Sequence, residues 1–145
     1  MRQDTVVRVL LVDDDDEVRA ALTEVIEDDP RFEVVAAGRD APDAVRLAQE
    51  HRPDLVLLDV RMPGGGVAAA QALRRDAPDG VLVGVSAHAD AATVEQMVRA
   101  GVVGFFTKGQ LGADLPDKLH LCVRGHVVLA ADTAAVALRR VLTSH

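Results

Sequence analysis

Cysteine is nearly absent from this chain of 145 residues: Cys122 stands alone, which excludes an internal disulfide and fits a reducing cytoplasm. Long apolar runs are missing too. The longest falls far short of the roughly 20 residues a membrane-spanning helix needs, so no membrane role is expected. The opening Met1-Arg2-Gln3-Asp4 lacks the apolar segment of a signal peptide. Positive charge is also scarce. The net charge of −7 argues against this domain itself gripping nucleic acid, which favours basic patches. Lysine is the scarcest cation, with only Lys108 and Lys118 against fourteen arginines, so a lysine here is a departure from the chain's habit.

What remains is 49% hydrophobic and 27% charged, the balance of a globular chain long enough to bury one core. Val6 to Val12 is a β-branched and leucine run, ended by Asp13-Asp14-Asp15-Asp16-Glu17. Val18, Ala21, Leu22, Val25 and Ile26 follow at the spacing of one buried helix face, and Pro30 closes that helix. The same alternation recurs along the chain. Strands are expected at 32–37, 55–58, 81–85 and 102–107. Helices are expected at 41–51, at about 66–76, and around Val94, Met97 and Val98, with Gly101 as a stop. Strands alternating with helices at short spacing predict an α/β fold, a doubly wound five-stranded parallel sheet with helices on both faces. The flavodoxin-like order 2-1-3-4-5 suits right-handed crossovers and puts a switch point between strands one and three.

That topology gathers polar residues at one rim. Asp59 ends the apolar run Leu55–Leu58, just before Met62-Pro63 and Gly64-Gly65-Gly66. Alone, such an aspartate is an ordinary turn cap. Its company changes the reading, because Asp13 and Asp14 end strand one, Ser86 ends strand four and Lys108 ends strand five. Three carboxylates in one crevice repel; two unit charges about 4 Å apart cost roughly 4 kcal/mol at an effective dielectric near 20. They call for a cation or for raised pKa values, and an all-oxygen site with open water positions suits Mg²⁺. Asp15, Asp16 and Glu17 read instead as an acidic helix start. With a metal beside it, Asp59 could attack phosphorus and form an acyl phosphate, while Lys108 and the Ser86 hydroxyl meet phosphate oxygens.

The motifs Leu-Val-Asp-Asp at 11–14, Leu-Leu-Asp-Val-Arg-Met-Pro at 57–63, Ser86-Ala87 and Ala-Gly-x-x-Gly-Phe-Phe-x-Lys at 100–108 resemble one family. The chain is similar, over about residues 7–125, to the response regulator receiver domain, the CheY-like phosphoacceptor module of two-component signalling. Within it the likeness is to receivers of LuxR-type (NarL/FixJ-like) transcriptional regulators. The resemblance implies that Asp59 accepts a phosphoryl group from the phosphohistidine of a sensor histidine kinase. It implies Mg²⁺ held by Asp13, Asp14, Asp59 and the backbone carbonyl of Arg61. It also implies no enzymatic turnover beyond the chain's own phosphorylation and dephosphorylation. Ser86 and Phe105 match the family's switch pair, in which the hydroxyl moves to the phosphate and the ring turns inward. Phe105 reads equally as a core aromatic.

Several positions depart from the family pattern. Gly109 replaces the proline often found after the lysine, so a trans Lys108–Gly109 bond is expected, holding the lysine less firmly. The glycine loop lacks the acid common there and is expected to be unusually mobile. Pro116 belongs in a first helical turn, so helix five is expected to begin late, near Leu115 or Pro116, with Leu115, Leu119, Cys122 and Val123 inward. An atypical output face would follow. His88 reads as a solvent-facing loop histidine, or alternatively as a gate on water reaching the phosphate. The division expected is a receiver over residues 1–125 and an extension over 126–145. In the extension Asp132 caps a helix carrying Val136, Leu138, Val141 and Leu142. That helix could fold back on the receiver or pair in a homodimer, and DNA would be reached only through an effector domain outside this chain. Two other readings compete. One is a degenerate receiver that signals by binding alone. The other is a phosphohydrolase of the haloacid dehalogenase type, against which Arg61 stands where that family has its second acid.

Overall fold

Runs that are apolar at every position build the sheet, and runs apolar at every third or fourth position cover it. The computed structural model describes residues 5–87 and 90–129, the side chain of Gln110 excepted. Strands β1 (Val7–Val12), β2 (Phe32–Gly38), β3 (Leu55–Asp59), β4 (Val81–Ser86) and β5 (Gly104–Thr107) alternate with helices. These are α1 (Asp16–Glu27), α2 (Ala41–His51), α3 (Gly66–Asp76), α4 (Ala91–Arg99) and α5 (Leu115–Val123). All strand pairs are parallel, in the order β2-β1-β3-β4-β5-β6. The expected order is there, with one addition. A sixth strand, β6 (Val128–Leu129), lies along β5 with Val128 opposite Gly104 and Leu129 opposite Phe105. The sheet therefore runs past residue 125, where the sequence suggested an extension. Two residues are too few to show a period of two, so β6 leaves no signature in the sequence.

Alternate residues of each central strand face opposite layers, as the pleat requires. Leu10, Val12, Val56, Leu58, Leu82 and Phe105 pack under α2, α3 and α4. Val9, Leu11, Leu55, Leu57, Val83, Val85 and Phe106 pack under α1 and α5. Each fully buried leucine contributes about 1.5–3 kcal/mol relative to exposure, and β3 is buried at all five positions. That is why it forms the centre of the sheet. The inward residues of α2 and α5 are those the spacing predicts, although Val123 is only half-buried. On α1, Leu22 and Ile26 are buried, whereas Ala21 is exposed. Strand β5 starts at Gly104 rather than Val102. The Val102 N–H bonds back to the Met97 carbonyl (3.1 Å), which assigns that valine to the helix–strand junction.

Caps set the rim end of the helices. The Asp15 side chain accepts from the N–H groups of Glu17 (2.9 Å) and Val18 (3.2 Å). Asp40 accepts from Asp43 N (2.8 Å), and Asp90 from Thr93 N (2.8 Å). Each such cap is worth about 1 kcal/mol. No peptide bond among the described residues is cis, so Lys108–Gly109 is trans. A short 3₁₀ turn covers Lys108–Gln110, and α5 begins at Leu115 with Pro116 in its first turn. Burial pushes the Cys122 thiol up to about 11, which makes it a core residue rather than a nucleophile. Among the described residues no helix is long and apolar enough to cross a membrane. His88, Asp132 and the helix expected around Val136, Leu138, Val141 and Leu142 lie outside the described residues.

Candidate functional site

Four neighbouring strands deliver the site, each through the residue at its C-terminal end or just beyond. Asp13 follows β1, and its N–H still pairs with the Gly38 carbonyl (3.1 Å), so the residue is held as firmly as the strand. Its side chain is buried, 2% exposed. Asp13 Oδ1 accepts from Asp15 N (2.8 Å), and its backbone carbonyl accepts from Arg19 Nη1 (2.7 Å). Asp59 is the last residue of β3, 4% exposed, with Oδ1 accepting from the Arg61 N–H (3.2 Å). Ser86, buried, ends β4 one strand over and pairs with Thr107. Lys108 follows β5 and reaches back across the rim. Its Nζ lies 3.1 Å from Asp13 Oδ2 and 3.6 Å from Asp59 Oδ1. One carboxylate oxygen from each of Asp13, Asp14 and Asp59 lies within 4.8 Å of the other two. Acids separated by more than forty residues thus meet in one crevice, with the chain's rarer cation beside them.

The electrostatics are those of an incompletely neutralised cluster. Burial pushes the Asp59 carboxyl above its ordinary range. The Arg61 N–H and Lys108 oppose that shift, and the negative charges of Asp13 and Asp14 reinforce it. Burial pulls Lys108 the other way, but its contact with Asp13 and the charge of Asp59 prevail, so the ammonium is held above its ordinary value. Asp13 Oδ2 is buried without a hydrogen bond, and its contact with Lys108 is ionic only. A buried carboxylate oxygen in that state is costly. It is also the atom a cation would meet. Three carboxylates facing one ammonium form a donor set that fits a hard divalent ion.

Arg61 itself is exposed, and its carbonyl lies in the loop between β3 and α3. That loop is tied at three points: Gly65 N to the Met62 carbonyl (2.8 Å), Gly66 N to the Val60 carbonyl (2.9 Å), and Ala41 N to the Pro63 carbonyl (2.9 Å). Gly64 and Gly65 take φ values of 87° and 84°, which side chains disfavour. The glycines that suggested mobility therefore serve a tight turn braced against α2. Phe105 is fully buried, its ring turned into the core beside Gly84. One contributor is not apparent from sequence patterns: Arg19, whose guanidinium returns from the second turn of α1 to the Asp13 carbonyl. Six residues of separation across a strand–helix junction carry no recognisable spacing.

Comparison with known proteins bears on the same residues. The family model described as the response regulator receiver domain matches residues 9–120. Response regulator GacA of Pseudomonas viridiflava is 33% identical over 129 residues, 88% of this chain and 60% of GacA. The chain thus spans about three fifths of the length of that relative. A two-component response regulator of the LuxR family from Aurantimonas sp. SI85-9A1 has a TM-score of 0.86 at 29% identity, covering 95% of this chain and 99% of that one. The signal receiver domain of NarL from Mycobacterium tuberculosis has a TM-score of 0.80 at 30% identity, over 84% of this chain and 99% of its own. The acids at the rim, the sheet order and these likenesses agree, and this chain belongs to the response regulator receiver domain family.

Proposed function

We propose that this chain is the phosphoacceptor of a two-component relay and that Asp59 takes its phosphoryl group from the phosphohistidine of a sensor histidine kinase. The observation that carries the reading is the convergence of Asp13, Asp14 and Asp59 on one crevice under the Lys108 ammonium. A carboxylate oxygen of Asp59 attacks phosphorus. The new O–P bond replaces the P–N bond, and the departing imidazole nitrogen keeps the electron pair and takes a proton from solvent. Asp59 becomes an acyl phosphate. Such transfers depend on positioning and charge neutralisation. Lys108 offers its ammonium to a phosphoryl oxygen, and Ser86 offers its hydroxyl to another. Asp13, Asp14, Asp59 and the Arg61 carbonyl would hold Mg²⁺. Bound there, the ion supplies the positive charge that lets anionic donor and anionic acid approach.

The acyl phosphate carries about −1.5 to −2 of charge where the carboxylate carried −1, and the change acts on the output surface only through contacts that differ between the two states. Lys108, Ser86 and the ring of Phe105 are the groups that would make them. Output would be transcriptional, exerted on DNA through an effector domain, and the C-terminal segment could pair in a homodimer. Phosphate-ester turnover is disfavoured because Arg61, not an acid, stands two residues after Asp59.

Incubation with phosphoramidate and Mg²⁺ should add one hydroxylamine-sensitive phosphoryl group, read by intact mass. Asp59→Asn should remove it. Full labelling of that variant would place the nucleophile elsewhere, and no labelling of the wild-type chain would favour a receiver that signals by binding alone.

A further inference from the structure

Asp13 has four polar atoms, and three are committed. Its N–H pairs with Gly38, its Oδ1 accepts from Asp15 N, and its carbonyl accepts from Arg19 Nη1 at 2.7 Å. Only Oδ2 faces the crevice without a hydrogen bond. Two of the three tethers are made to backbone groups, the Gly38 carbonyl of β2 and the N–H of the helix cap Asp15. The third depends on one side chain. Arg19 is 20% exposed and forked: Nη1 points inward to Asp13, and Nη2 bonds Asp16 Oδ1 at 2.5 Å. Asp16 is in turn held from outside by Arg39 Nη1 at 2.9 Å. Both outer partners are exposed, 69% for Asp16 and 59% for Arg39. Exposed pairs of this kind contribute little to stability. What matters for the site is the inner contact, which holds the peptide that joins Asp13 to Asp14.

We infer that Arg19 is a positioning residue for the acidic site. By fixing the Asp13 carbonyl it sets the direction of both Asp13 and Asp14 toward the ion. The inference rests on the reading of these acids as metal ligands. Outer partners that orient ligands typically change metal affinity by about 10–100-fold when removed. Arg19→Met keeps the length of the stem and removes the donors. It should weaken Mg²⁺ binding about tenfold in calorimetric titration, and the metal-free variant should show a shifted Asp15 amide resonance. Arg19→Lys, able to reach either the carbonyl or Asp16 but not both, should fall between. Arg39→Ala, which strips only the outer partner, should bind Mg²⁺ as the wild-type chain does.

A purely structural Arg19 would lower the urea midpoint and leave the Mg²⁺ affinity of the folded protein unchanged, and that result overturns the inference. If Arg19→Met does not fold, Arg19→Ala, which has no donor to offer the carbonyl, decides: weakened Mg²⁺ affinity supports the role, and wild-type affinity ends it. If the wild-type chain itself takes up no Mg²⁺, the reading of the acids as ligands has failed. Equal uptake by wild type and variants removes only the role of Arg19.

Discussion

Lys108 carries one positive charge and faces two buried carboxylates, so at the scale of single residues the site is short of cations. At a separation of about 4 Å and an effective dielectric near 20, each unneutralised like pair costs roughly 4 kcal/mol. The ammonium sits nearer Asp13 than Asp59, 3.1 Å against 3.6 Å, and Asp59 is the group whose carboxyl is pushed up. The sign for stability follows. A carboxyl raised in the folded state favours folding below its unfolded value, and that contribution is lost as pH rises through the folded value. In the metal-free protein, Asp59→Asn should therefore raise the thermal midpoint at neutral pH. The gain should shrink as pH falls through the raised folded value and vanish below the ordinary carboxylate value. Equal midpoints at neutral pH would contradict the assigned burial and repulsion. The five side chains Asp13, Asp14, Asp59, Ser86 and Lys108 were legible because each ends an apolar run, a purely local pattern. Arg19 was not, because its bond to Asp13 depends on how α1 turns back over the strand end.

The elements show the same division between what repeats and what does not. Continuous apolar runs identified β1, β3 and β4, and three-to-four spacing identified the helices, because burial on both faces or on one stripe writes itself into composition. Strand β6 could not be read, and β5 begins later than its apolar run does. Adjacent aromatics part company at β5, with Phe105 under α4 and Phe106 under α5. The room for Phe105 comes from the neighbouring strand. A Cβ on Gly84 would lie 2.9 Å from the Met97 methyl and 3.0 Å from the Phe105 ring. The methionine end can yield, whereas the fully buried ring has nowhere to go. Gly84→Ala should cost about 1–3 kcal/mol in urea unfolding, and a loss below about 0.5 kcal/mol, the range of a neutral surface change, would refute this account of the packing. In this structure Phe105 satisfies the core reading. Its part in switching belongs to the proposed mechanism.

For the whole molecule, no disulfide crosses between layers, so stability rests on packing and on whatever binds the folded state alone. A site assembled from three distant segments exists only when the chain is folded. Its ligand must therefore stabilise the fold by mass action, by about 2.7 kcal/mol at a hundredfold excess over Kd. The melting temperature should climb with Mg²⁺ concentration, and Asp13→Asn should flatten that climb; a melting temperature indifferent to Mg²⁺ would argue against the site. The amino-acid sequence by itself determined the layers, the order of the first five strands and the residues placed at the rim, because hydrophobic periodicity and chain-crossing rules act along the backbone. Only the tertiary structure decided which carboxylate oxygen is left without a hydrogen bond, which acid Lys108 favours, and which arginine steadies the pair. Those outcomes turn on distances of a few ångströms between segments far apart in the chain, and no local pattern encodes them.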